Sequence, residues 1–534
     1  SDRKAAELVD GVVHVHPGVE PYVKEMGESG MIGVTFDFEH GGQQLPSLVG
    51  GAHEFIRGAA HNSVVMFTGL SHGAAHLIAS FGSKELADKF VPNMLSGKWT
   101  GTMCLTEPQA GSSLNDVTTS AKDLGDGTYS IKGQKIFISG GDNHFSENII
   151  HLVLARLEGA PAGTKGISLL VVPKKRMENG QWVQNEVVSL GVYHKMGQKA
   201  TPALHLSFGD KGASIGYLVG EPNKGLKYMF QMMNEARIGV GMGGAYIASA
   251  AYHFSKQYAN ERSQGRLLTN KDPNTPPTLI KNHPDVQRML YFQKAIVEGS
   301  MGLLFQCLLW DDLTKCAEGE EKDEAQLLLD LMTTVAKTYP AEMGTLAVNQ
   351  GLQVLGGYGY TEDFPLEQMA RDVRIMSIYE GTTGIHGLTL LGRGIPLNNG
   401  QALQTLGKWI AKDIESGKSS DLVTKYADIL EAEVANLTKV TMHKLGIAMK
   451  GEFDVFLADS SLYMELFGIV TVAWQWLKQG NVAAAAIKAG GLSTDELAFY
   501  QDKIHTMKFF FHYEVPKTLG LSKRLMDDEI LTIF

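Results

Sequence analysis

Cysteine is scarce. Cys104, Cys307 and Cys316 are the only three in 534 residues, and they form neither a CxxC pair nor an even framework. That argues against a disulfide scaffold and favours a reducing compartment. Long apolar runs are missing as well: none approaches the roughly twenty residues needed to span a bilayer. Ser1-Asp2-Arg3-Lys4 lacks the apolar core of a signal peptide. A soluble, cytoplasmic protein without membrane insertion is the expectation. Positive charge is in deficit, 48 Lys+Arg against 58 Asp+Glu, for a formal net charge of −10. Nonspecific nucleic-acid binding is disfavoured, although a local basic patch for a phosphate remains compatible. No metal site is expected. His72 and His76 stand four apart, but Gly73 occupies the place of a zincin glutamate and no third ligand follows.

What is present is an ordinary globular composition, 44% hydrophobic and 20% charged. The length corresponds to roughly three or four domains. Residues 1–100 read as helical, with apolar positions at helical spacing through Phe55-Ile56, Val64-Val65-Met66 and Leu77-Ile78. Ser83 is a candidate N-cap for a further helix. Within 101–222 the period shortens. Runs such as Lys135-Ile136-Phe137-Ile138 and Ser168-Leu169-Leu170-Val171-Val172, separated by Gly125-Asp126-Gly127 and Pro161-Ala162-Gly163, predict an antiparallel barrel or sandwich. From Leu226 the helical period returns through Phe230, Met233, Arg237, Val240, Gly244, Ile247 and Ala251. Pro284 marks a helix start, and helices over Glu324–Lys337 and Ala341–Leu355 complete a bundle through 223–400. Ser416-Gly417-Lys418-Ser419-Ser420 reads as a linker or loop. The stretch 401–534 is again helical, with Ser493 and Glu496 at capping-box spacing.

Gly239, Gly241 and Gly244 fit GxGxxG, yet a dinucleotide fingerprint needs a strand before it. These glycines lie inside an uninterrupted helical pattern, so they read as a close helix–helix approach. Phe509-Phe510-Phe511-His512-Tyr513 reads as a core stripe or subunit contact. Two other blocks carry chemistry. Ile378-Tyr379-Glu380-Gly381-Thr382-Thr383 sets one carboxylate among small residues, about twenty residues after Gly356-Gly357-Tyr358-Gly359-Tyr360. Thr106-Glu107-Pro108-Gln109-Ala110-Gly111-Ser112 follows the apparent strand Thr102-Met103-Cys104-Leu105, where backbone N–H groups and hydroxyls can bond a polar ligand edge.

Together these blocks resemble the acyl-CoA dehydrogenase family, over about residues 20–395. The extra helical region resembles the larger bacterial branch that includes 3-methylmercaptopropionyl-CoA dehydrogenase. The resemblance implies a mainly helical α+β fold: an N-terminal helical domain, a middle antiparallel β-barrel, a helical bundle and an additional C-terminal helical domain. It implies FAD as cofactor, an acyl-CoA substrate, a trans-2-enoyl-CoA product, an electron-transferring flavoprotein as acceptor, and a homodimer or homotetramer. Glu380 becomes the catalytic base, since Ala236 stands where other branches place theirs. By the same resemblance Met103, Leu105, Thr106, Ser112, Phe137, Ser139, Arg262, Gln353, Gly356, Gly357, Thr382 and Gly384 hold the flavin. Ser112, Asn234, Arg237, Tyr379 and Gly381 meet the substrate. Gln264 and Arg266 depart from the family pattern after Arg262, and Gly384 stands where members often have Gln. An acyl-CoA oxidase shares these residues, and the alkylation-response flavoprotein of the same fold also binds DNA; both stay as alternatives.

Overall fold

The computed structural model describes residues 2–270 and 272–533, without the side chains of 230–233, so Phe230 and Met233 of the helical stripe lie outside the described side chains. The chain forms two compact units, Ser1–Ala236 and Arg237–Phe534.

The first unit opens with a hairpin, β1 (Glu7–Val9) and β2 (Val12–His14), turned by Asp10 and Gly11 at φ 50° and 78°. The wholly helical reading of residues 1–100 misses it, because three-residue strands leave no period; Asp-Gly was the available signal. Helices α1 (Val19–Glu28), α2 (Ser47–Phe81) and α3 (Lys84–Leu95) follow. Ser83 caps α3, its Oγ accepting from Leu86 N at 3.3 Å. Among the described residues α2 alone is long and apolar enough to cross a membrane, and half of its most apolar window is buried. It kinks at His61 (φ −159°, ψ 87°). Ala74, Leu77 and Ile78 of α2 join Phe90, Val91 and Met94 of α3 in one core. Each fully buried large side chain there contributes roughly 1.5–3 kcal/mol.

The strands of this unit are β3 (Trp99–Cys104), β4 (Ser120–Asp123), β5 (Tyr129–Ser139), β6 (Asn148–Leu157), β7 (Ile167–Pro173), β8 (Lys175–Glu178), β9 (Gln181–Gln184), β10 (Val187–Val192), β11 (Ala203–Phe208) and β12 (Ser214–Leu218). β5 pairs with β12, β12 with β7, β7 with β6, β6 with β4, and β4 with β5 again, which closes the barrel. Pairing is antiparallel except where β3 and β4 run alongside β6. β6 and β7 read as continuous apolar runs because Ile150, Leu152, Val153, Leu170 and Val171 are all fully buried.

Helix α4 (Gly225–Glu261) carries the boundary between the units. The second unit continues with α5 (Pro284–Cys316), α6 (Gly319–Leu355), α7 (Leu366–Val373) and α8 (Thr383–Thr389). Then come α9 (Gln401–Lys418), α10 (Thr424–Met449), α11 (Phe453–Ala458), α12 (Ser460–Ala489), α13 (Thr494–Tyr513) and α14 (Lys517–Leu525). Pro284 starts α5 as expected. α6 is one helix rather than two, with Pro340 inside it. The expected break fails because tertiary packing overrides the local preference: residues 328–341 are buried almost throughout. Within this unit the glycine-rich stretch of α4 lies against α6. A Cβ on Gly241 would come within 1.9 Å of Ala336 O, and one on Gly244 within 2.4 Å of Pro340 O. The GxGxxG pattern is therefore a packing groove. α9 runs through Lys418, so three of the five residues of the expected linker are helical. Ser493 and Glu496 form a complete capping box. Phe509, Phe510 and Phe511 are core residues.

Candidate active site

A 3-10 turn over Arg374–Ser377 delivers the chain to Glu380, and Thr382 caps the next helix, α8, by accepting from Ile385 N at 3.4 Å. Between these two helical pieces the backbone must reverse hand. Glu380 has φ 53° and Gly381 φ 90°. A non-glycine residue held there costs of order 1–3 kcal/mol, so the surroundings must impose the conformation. They do so through buried side chains. His386 Nε2 donates to Glu380 O at 3.0 Å, and Lys337 Nζ donates to Gly381 O at 2.7 Å. Thr383 Oγ1 donates to Glu342 Oε1. Any Cβ at residue 381 would come within 2.7 Å of His386 Nε2, which makes glycine necessary for space as well as for φ.

The electrostatics match the geometry. Burial pushes the Glu380 carboxyl above its ordinary pKa, against the downward pull of Arg237 and Lys337. Arg237, on α4, is buried and leaves its Nε unpartnered among the described residues. Burial, followed by Arg237 and Lys337, drives His386 down to about 3, so the ring is neutral and its proton sits on Nε2, facing the Glu380 carbonyl. The Glu380 N–H makes no hydrogen bond among the described residues. Tyr379 donates from its hydroxyl to Met376 Sδ at 3.2 Å. Asn234 precedes Arg237 by one turn of α4. Glu235 bonds His76 Nδ1 at 3.2 Å, and His72 Nδ1 bonds Ile32 O at 2.8 Å. No cluster among the described residues is fit to hold a metal.

A second assembly in the same unit is a cavity of about 510 Å³ lined by Arg262, Gln264, Gln353, Gly356 and Gly357, together with Tyr258, His283 and Tyr358. A Cβ on Gly356 or Gly357 would meet nothing within 4 Å, so the glycines leave open space where a ligand can approach the backbone. Arg266 is excluded from this role because its guanidinium bonds Thr275 O and Pro273 O. Thr382 spends its oxygen on the cap of α8 while keeping a proton to donate. Beside Gly384 the nearest atoms to a would-be Cβ are Ser461 Oγ at 3.9 Å and Thr382 Oγ1 at 4.0 Å, ordinary contact distances that a side chain would tolerate.

In the first unit, the Thr106–Ser112 block is pinned from within. The buried Glu107 carboxylate accepts from Lys135 Nζ at 2.8 Å, Thr118 N at 2.7 Å and Thr119 N at 3.0 Å. Glu107 is thus the anchor of the loop. Ile136 N donates to Thr106 O at 2.9 Å, which sets Phe137 beside residues 105–106. Phe137 is 58% exposed and sits at φ 58°, an outlying backbone for an aromatic residue. Its ring lies 4.5 Å from that of Tyr193. Met103, Leu105, Thr106 and Ser139 are half-buried on the same part of the barrel, and Ser112 is exposed. A strained, exposed aromatic beside apolar and hydroxyl side chains suits a planar heteroaromatic ring, and the open glycine-lined cavity suits a diphosphate-bearing tail. Sequence reading missed Tyr193, Lys337, Glu342, His386 and His283 as site residues. For Lys337 there was a signal: one charge in the otherwise uncharged stretch Leu331–Ala341.

Comparison with known proteins bears on the family and the fold. Four family models match in order: Acyl-CoA dehydrogenase, N-terminal domain over 4–98; middle domain over 102–210; C-terminal domain over 280–395; and Acetyl-CoA dehydrogenase C-terminal like over 403–532. The chain is 34% identical to 3-methylmercaptopropionyl-CoA dehydrogenase of Ruegeria pomeroyi, covering 99% of this chain and 90% of that one. It is 35% identical to a broad-specificity linear acyl-CoA dehydrogenase of Mycobacterium tuberculosis, over 91% and 82% of the two chains. Its fold is similar to an acyl-CoA dehydrogenase complexed with FAD from Bacillus anthracis, at a TM-score of 0.77 and 21% identity, over 95% of this chain and 82% of that one.

Proposed function

Since the chain belongs to the acyl-CoA dehydrogenase family of flavin-dependent oxidoreductases, we propose that it oxidises an acyl-CoA thioester to the trans-2-enoyl-CoA, with Glu380 as base and an electron-transferring flavoprotein as acceptor. FAD is the cofactor, and when bound it supplies the hydride-accepting chemistry. Phe137, Met103, Leu105, Thr106, Ser112 and Ser139 are proposed to hold its ring system. Arg262, Gln353, Gly356 and Gly357 are proposed for its phosphate-bearing end, with Thr382 and Gly384 near the adenosine.

The observation that carries the reading is the held turn at Glu380. An α C–H beside a thioester is a weak acid, so its removal needs a base of raised basicity and a polarised carbonyl. Burial supplies the first, and the unpaired N–H of Glu380 is a fitting donor for the second. Glu380 takes the α-proton onto its carboxylate. Arg237 and Lys337 oppose its protonation beforehand, which favours the carboxylate that the reaction needs. Ser112, Asn234, Arg237, Tyr379 and Gly381 are proposed to position the thioester. The protein acts in the cytoplasm as a homodimer or homotetramer in this reading.

Glu380→Gln tests it. The variant is expected to stay yellow with FAD and to bind acyl-CoA, while dehydrogenation falls by about 10²–10⁴-fold. Turnover close to wild type would remove Glu380 from the reaction.

A further inference from the structure

We infer that Lys337 is a positioning residue for the base, holding the reversed backbone turn from α6 and placing a fixed cation beside the Glu380 carboxylate. The inference rests on reading Glu380 as the base, and it concerns residues of the second unit only.

Lys337 is fully buried in α6, three residues before Pro340. A buried ammonium that makes no salt bridge is costly, so its placement requires a reason. Among the described residues its one hydrogen bond goes to Gly381 O, 2.7 Å away, and it makes no salt bridge. The acceptor it uses is the peptide next to the base. Two consecutive carbonyls, those of Glu380 and Gly381, are thus held by two buried donors from different helices, His386 on α8 and Lys337 on α6. Glu342, five residues farther along α6, accepts from Thr383 Oγ1. α6 therefore grips the turn on both sides of its proline. Holding two successive peptide planes fixes the φ of Gly381 and the direction of the Glu380 side chain, which a single anchor would leave free to rotate.

The second role is electrostatic. The charged groups facing Lys337 are Glu342 on its own helix, Glu380 on the turn and Arg237 on α4, with the neutral His386 on α8; Glu342 in turn acts on Glu465 of α12. Burial lowers the Lys337 ammonium to about 8, against the pull of Glu342 and Glu380 and with the help of Arg237. Below that pH the cation is present and favours the ionised base; above it the cation fades and the base strengthens. Ordinary structural lysines leave no such mark on a pH profile.

The test is the pH dependence of kcat and kcat/KM for wild type, Lys337→Met, Lys337→Gln and Lys337→Arg, with a saturated straight-chain acyl-CoA as probe and flavin absorbance recorded throughout. Lys337→Met is expected to lower kcat about ten- to a hundredfold, with KM changed much less. Its acid limb should move to higher pH by about one unit, because the carboxylate loses a neighbouring cation. Lys337→Arg should return the limb toward wild type. Should Lys337→Met not accumulate as folded protein, Lys337→Gln keeps a donor for the Gly381 carbonyl without charge and reads the electrostatic role alone. Acid limbs that coincide with wild type in the uncharged variants overturn the inference, as does a Met variant with unchanged kcat. If Glu380→Gln is inactive while the Lys337 variants behave as wild type, only the inference falls; an active Glu380→Gln removes the base itself.

Discussion

Glu107 and Lys135 meet inside the barrel at 2.8 Å with side chains 1% and 0% exposed. Burial pushes the Glu107 carboxyl up, but Lys135 and the donors of Thr118 and Thr119 outweigh it and hold its pKa at about 2. Lys135 nonetheless stays below its ordinary value, because burial takes more from its ammonium than Glu107 returns. The two shifts point in opposite directions about the worth of the pair. The hydrogen-bond geometry supports the Glu107 side for removal of one partner, and desolvation supports the Lys135 side for removal of both. Lys135→Met should therefore destabilise by about 3 kcal/mol, whereas adding Glu107→Leu should recover part of that loss. Urea unfolding of the single and double variants measures it, and additive losses would contradict it. The sign with pH is fixed by the depressed carboxylate: its contribution is complete above the unfolded value and is lost as pH falls toward about 2.

With Glu380 proposed as the base, the close approach of α4 and α6 sets how it is held. α4 carries Arg237 and α6 carries Lys337, the two cations that act on Glu380. Their separation is set by Gly241 and Gly244, which leave no room for a Cβ against the Ala336 and Pro340 carbonyls. Gly241→Val would have to push the helices apart, at about 1–3 kcal/mol or more for an overpacked contact. Both a lower melting temperature and a lower kcat are expected, because both cations move away from the base together. Calorimetry beside steady-state rates checks this; a variant that loses stability but keeps full kcat would show that the helix spacing does not govern the turn.

At the scale of the molecule, the C-terminal helices are part of the second unit's own core. Trp474 and Trp476 of α12 are fully buried, and Trp476 Nε1 donates to Ala295 O of α5 at 3.0 Å. α12 also lies against α8, where a Cβ on Gly387 would come within 2.7 Å of Ser460 O. We propose four domains, 1–100, 101–222, 223–400 and 401–534, the last two sharing one core. A chain ended after Lys418 would expose the apolar faces of α5, α6 and α8 that α12 covers. It is expected to yield no soluble yellow protein, and size-exclusion chromatography with flavin absorbance would reveal the opposite outcome.

The local features needed no structure. Period changes marked helices and strands, Pro284 and the Ser493–Glu496 box marked helix starts, and the absence of a strand before Gly239 disqualified the dinucleotide pattern. Glu380, Arg237 and the Arg262–Gly357 set could be proposed from the sequence because short motifs keep their residue types in order. A barrel was expected, but the order in which β5, β12, β7, β6 and β4 pair to close it was not legible, since pairing joins residues far apart in the chain. Neither was the continuity of α6 through Pro340, which burial imposes against local preference. Only the folded chain brings Lys337, more than forty positions before Gly381, to within 2.7 Å of its carbonyl. Side-chain type is a property of the sequence, but the desolvation and charge that set basicity depend on which distant atoms surround it.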